Sequence, residues 1–90
     1  MNNTPHYLEA KWFHTFSDNH IQQQGIIAKM LENNVAVCHL LSPSTYTQEA
    51  EILLNLNDYT IPSRWIQFYD TEERMKKNAD KFGYKASRQS

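Results

Sequence analysis

Between residues 8 and 16, Leu8, Ala10, Trp12 and Phe16 fall on one parity and Glu9, Lys11 and Thr15 on the other, which is the alternation of a half-buried β-strand. Phe13 and His14 interrupt it. Ser17-Asp18-Asn19-His20 reads as a tight turn, because Asp and Asn tolerate left-handed backbone and bond their own chain. A second strand is therefore expected over residues 21–31, with Gly25 in its middle. Glycine belongs there only if the sheet bends sharply or another backbone comes close, and a coiled strand is the expectation. Glu32-Asn33-Asn34 makes the next turn, and residues 35–41 form a β-branched, apolar run suited to a central strand. A loop opens at Ser42-Pro43 and runs to about Glu49. Residues 50–56 are apolar enough for a fourth strand, with helix as the alternative, and residues 65–69 close the series after Asn57-Asp58 and Ile61-Pro62-Ser63.

From Asp70 the period changes. Asp70 with Glu73 spells a capping box, Met75, Ala79 and Phe82 form one stripe, and Gly83 supplies the stop. Glu72 with Lys76, and Glu73 with Lys77, support this helix from outside. Five short strands in a meander and one C-terminal α-helix predict a mainly β domain: a small, strongly bent, five-stranded SH3-like or Tudor-like barrel over about residues 8–69. The helix, over about 70–82, closes one end, and residues 83–90 form a loose tail. Full closure is expected to leave no exposed sheet edge.

A chain of 90 residues makes one domain with a modest core. Its net charge of -1 supplies no global field to draw it onto nucleic acid or an anionic membrane. Cys38 is the single cysteine, so no intramolecular disulfide forms, and neither a signal-like run nor a membrane span is visible. A reduced, cytoplasmic protein with no membrane partner is the expectation.

The order "KWFHTFSDN…IQQQGIIAKM…VAVCHLLSP" followed by "WIQFYDTEERM" resembles a family of uncharacterised small bacterial proteins often found on mobile elements. The resemblance spans roughly residues 11–75 and implies a small β-barrel; the family brings no established activity. A thinner likeness links "QQGIIAKM…VAV" to the plasmid-borne, SH3-like dihydrofolate reductases, which act as tetramers around one pore. Their pore carries a Val-Gln-Ile-Tyr stretch. The positional counterpart here, Glu51-Ile52-Leu53-Leu54, lacks the amide and the phenol.

His6, His14, His20 and His39 include no i, i+4 pair and no accompanying cysteine pair, which argues against a metal site. His14, among aromatics and without a nearby carboxylate, reads as a packed imidazole, and Cys38, in the most apolar strand, reads as a small hydrophobe. With Gly25 and Gly83 the only glycines, a Gly-rich phosphate loop is excluded. No catalytic residue, metal or cofactor is expected. Trp12, His14, Tyr46, Tyr59, Trp65 and Tyr69 are the candidate binding residues, as an aromatic groove for peptides or bases. Lys76, Lys77, Lys81, Lys85 and Arg88 form a basic cluster that could track a phosphate backbone, diluted by Glu72, Glu73 and Asp80. Three functions follow in order: a non-enzymatic protein-binding or adaptor module, its partner another protein or its own copy; a nucleic-acid-binding module using the basic cluster; and a small oligomeric enzyme of dihydrofolate-reductase type.

Overall fold

A computed structural model describes residues 4–82, with side chains through Ala79. Five strands, β1 (Trp12–Ser17), β2 (His20–Met30), β3 (Val35–Leu41), β4 (Gln48–Asn55) and β5 (Arg64–Tyr69), precede one helix, α1 (Glu72–Phe82). All pairings are antiparallel, in a single sheet of order β4-β3-β2-β1-β5. The chain is mainly β, as the hydrophobic period predicts, and of residues 50–56 all but Leu56, which opens a 3-10 turn, lie in strand β4 rather than in an α-helix. The sheet is not closed, however. β4 and β5 are its two edges, so the edge-free barrel expected from the sequence is not what the strand order gives.

The turns follow from their residues. Asp18 and Asn19 both have positive φ, 52° and 68°, the backbone of a two-residue turn whose twist matches the flanking strands. Ser17 pairs with His20 across it. Asn33 and Asn34 repeat the device, with φ of 64° and 62°, inside a short 3-10 turn, Glu32–Asn34. Gly25 faces Leu40 on β3. A Cβ built there would lie 2.1 Å from the His39 carbonyl oxygen, so close approach of a neighbouring backbone is what requires the glycine.

The first strand begins later than the alternation suggests. Leu8 lies in a 3-10 turn, His6–Leu8, and still reaches the core, while Ala10 turns the chain with a φ of 71°. From Trp12 onward β1 lies between β2 and β5, and Phe13, His14, Thr15 and Phe16 are all buried. A strand covered on both faces loses its alternation, which is why Phe13 and His14 break the pattern. One face of β1 joins the main core, where Phe13 meets Ile27, Met30, Ala36, Cys38 and Leu54. Ile52 from edge strand β4 and Ile66 and Phe68 from edge strand β5 pack against this same cluster, as does Tyr59 from the 3-10 turn Leu56–Tyr59 that joins the two edges. The other face carries Trp12, His14 and Phe16, and α1 packs over its β1, β2 and β5 portion through Met75.

The helix starts at Glu72 rather than at Asp70. Thr71 is its cap: the Arg74 N–H donates to Thr71 Oγ1 over 3.2 Å. Asp70 pairs instead with Lys11, whose Nζ holds the Asp70 carboxyl below its ordinary range. Lys76 lies 3.9 Å from Glu72, as the spacing predicts. Gly83, the expected stop, and the tail lie outside the described residues.

Candidate functional site

The helix-covered face gathers four of the six candidate aromatic and imidazole residues. Trp12 and Tyr46, both half-buried, pack against Leu41, Tyr69 and Met75. Tyr69 stands opposite Trp12 on β5 and edge-on to His14, ring centroids 5.0 Å apart. Lys76 lies over the Tyr46 ring at 4.5 Å, closing that side. Trp65 lies beyond this group, stacked on Phe16 with ring planes 3° apart. Tyr59 is elsewhere, against the main core, with the Arg64 guanidinium 5.1 Å from its ring centre.

At the centre of this face runs a buried polar chain. His14 Nδ1 is 2.9 Å from the Tyr69 hydroxyl and Nε2 is 3.1 Å from Gln24 Oε1. The Gln24 amide reaches the Ser42 carbonyl at 3.4 Å, and the Asn78 amide reaches the Tyr69 hydroxyl at 3.1 Å. One obligate acceptor fixes every proton in the chain. A carbonyl only accepts, so Gln24 must turn its NH2 to Ser42 and its oxygen to His14. His14 then carries its proton on Nε2, and Nδ1 accepts from the Tyr69 hydroxyl, which accepts in turn from Asn78. The neutral imidazole is satisfied at both nitrogens, and α1 is tied to the sheet through Asn78.

Burial brings the His14 pKa down to about 4, with the bond to Gln24 opposing. Burial likewise raises the Tyr69 hydroxyl, opposed by Asn78, and pushes Cys38 up to about 12. The sign of the His14 effect on stability is set by where its proton binds. Between pH 6.5 and about 4 the unfolded chain takes up a proton that the folded chain refuses, so stability is present above that window and is lost as pH falls through it. The total is about 3 kcal/mol. Urea midpoints measured from pH 7 down to about 4.5 should fall for the native chain and fall less for His14→Gln, with the downward slope from this site removed. Equal slopes in the two proteins would contradict a buried, neutral His14.

The basic cluster is only partly displayed. Lys76 is engaged by Tyr46 and Glu72, and Lys77 is exposed on α1. Lys81 lies in the helix with its side chain outside the description, and Lys85 and Arg88 lie outside the described residues. Among the described residues no group of three or more His, Cys, Asp or Glu side chains could hold a metal ion, and no helix is long and apolar enough to cross a membrane.

Two features escape the sequence patterns. The first is the outer edge of β4, eight residues long, where Leu53 is 67% exposed beside half-buried Val37. Helix α1 packs on the β1, β2 and β5 portion of that face and leaves Leu53 uncovered. The second is a groove of about 700 Å³ on the core face beside the β1–β2 turn, lined by Thr15, Ser17, Gln22, Gln23, Tyr59 and Arg64, with Phe16 at one side. No protein-family model, curated protein or solved structure matches this chain.

Proposed function

We propose that the chain is a non-enzymatic protein-binding module that works by strand addition at β4, and that the occupant of that edge is a second copy of the chain. The observation that carries this reading is the open β4 edge with Leu53 exposed on it. Monomeric proteins blunt such edges with charged side chains, lysine above all, with proline, bulges or a covering element. Residues 48–55, Gln-Glu-Ala-Glu-Ile-Leu-Leu-Asn, contain neither lysine nor proline, and their charges, Glu49 and Glu51, lie to one side of Leu53. Two β4 strands paired antiparallel about Leu53 set Leu53 against its own copy and Glu51 against Asn55, so no like charges face each other across the pair. Backbone hydrogen bonds supply the affinity, as in other cases of added strands.

The buried His14 chain supports a non-enzymatic role, since an imidazole that holds its proton between two saturated partners, with its pKa near 4, is a poor base at neutral pH. A reduced cytoplasmic setting suits the buried, lone Cys38. For the sheet we propose the curl of an SH3-like or Tudor-like barrel left open between β4 and β5. Support comes from the shared core of its two edge strands, bridged by Leu56–Tyr59.

Sedimentation from about 10 μM to about 1 mM protein tests the association, because a weak strand-paired dimer changes mass with concentration. The dimer should persist at roughly 0.5 M salt, where the Debye length is about 4 Å. A single monomeric species throughout would reject it. Nucleic-acid binding, the second reading, would rest on a few lysines and fall steeply with salt. Gel shifts with generic single- and double-stranded DNA at about 0.15 M salt should show weak binding or none. A tight shift abolished by Lys76→Glu with Lys77→Glu would promote that reading instead.

A further inference from the structure

We propose that the groove beside the β1–β2 turn is a binding site for a small hydroxylated oxyanion, a sugar acid or a sugar phosphate, with Arg64 taking the anionic group. The hydroxyls and amides of Thr15, Ser17 and Gln23 take the body of the ligand. This site lies apart from the β4 edge, and it stands or falls independently of strand addition there.

The strand registers place the lining residues together. Ser17 faces Arg64 and Thr15 faces Ile66 across β1 and β5, while Thr15 faces Gln23 across β1 and β2. Thr15, Ser17, Gln23 and Arg64 therefore project from the core face, at the end where the turn Leu56–Tyr59 crosses it. Ligand sites are commonly clefts of about 300–1,000 Å³, and this groove measures about 700 Å³. The pairing of β1 with β2 slips by one residue between Thr15 and Phe16, leaving Gln22 as an extra residue at the rim. Bulges of this kind re-aim side chains beside binding sites.

Two observations point to a ligand rather than to a mere dent. Thr15 is 1% exposed, and its Oγ1 has no hydrogen-bond partner among the described residues. A buried hydroxyl left unpaired is costly and rare, and a turn about the Thr15 Cα–Cβ bond would bring it to a bound oxygen at the groove floor. The lining also contains one charged group, Arg64, and no carboxylate. The guanidinium is exposed, makes no ion pair among the described residues, and rests over the Tyr59 ring. From there it can swing to grip an oxyanion with two parallel hydrogen bonds.

The test is a ¹H–¹⁵N NMR titration of the full chain with glucuronate, with glucose 6-phosphate, and with glucose as the neutral control. Saturable shifts are expected with at least one anion, concentrated at residues 15–17, 22–23 and 59–64, with glucose at least about tenfold weaker. The stronger anion identifies carboxylate or phosphate as the preferred group. Arg64→Gln should reduce anion affinity at least about tenfold. Thr15→Val removes a hydroxyl that is unpaired in the free protein, so it should hold or raise the thermal melt while weakening the anion. Failure of both anions to saturate up to about 20 mM, shifts centred elsewhere, or unchanged affinity in Arg64→Gln would overturn the proposal.

Discussion

Gly25→Val is expected to cost at least about 3 kcal/mol, a large share of the roughly 5–15 kcal/mol that stabilises a domain of this kind. An ideal Cβ at this position lies 2.1 Å from the His39 carbonyl oxygen, 2.9 Å from its carbonyl carbon and 3.0 Å from Leu40 Cα. All three are backbone atoms of β3, so no side-chain rotation relieves the clash. Relief requires β2 and β3 to separate near the middle of the sheet, where Ile26 and Ile27 also pair with His39 and Cys38. At about 4–8 °C per kcal/mol for a chain of this size, the melting temperature should fall by about 12 °C or more. Gly25→Ala should already show most of the loss, because the offending atom is the Cβ itself. A valine variant that melts within about 2 °C of the native chain would remove the close-approach account of this glycine.

Where local chemistry alone decides the structure, the residues could be read directly. Val35–Leu41 is bounded by an Asn-Asn turn and a Ser-Pro loop, and both ends fall where those signals stand. Asp18 and Asn19 predict their own positive φ. What could not be read depends on partners distant in sequence. Asp70 and Thr71 are both good caps, and the choice between them is made by Lys11, 59 residues away. Short strands in a meander predict closure, but whether β4 and β5 bond each other is decided across the whole sheet.

The candidate site shows the same division. Aromatic composition points to Trp12, Tyr46 and Tyr69, and His14 among them is a packed, hydrogen-bonded imidazole. Its amide partner was hidden by the bulge. A regular ladder from the Ser17–His20 turn would set Gln23 opposite His14, whereas the slip at Gln22 brings Gln24 there. Asn78 carried no signal at all, since an asparagine inside a helix reads as solvent-facing until α1 is laid on the sheet. Leu53 was concealed by its neighbours: an apolar run such as Ile52-Leu53-Leu54 reads as wholly buried, and only the short reach of α1 leaves its middle residue bare.

The dimer at β4 answers most sharply to one residue. Leu53→Lys keeps the strand, because the site is 67% exposed, and should change folding stability by no more than about 0.5 kcal/mol. In the pair centred on Leu53 it sets two ammonium groups against each other at a Cβ separation of about 4.5–5.5 Å, and lysine on an edge is itself a guard against pairing. Sedimentation equilibrium of the native chain at about 0.5 mM should give a mass approaching twice the 10.6 kDa of one chain. Leu53→Lys at the same concentration should remain at the single-chain mass, a weakening of at least about a hundredfold. A native chain that stays monomeric at that concentration, or a Leu53→Lys variant that associates as well as the native one, would contradict strand addition at β4.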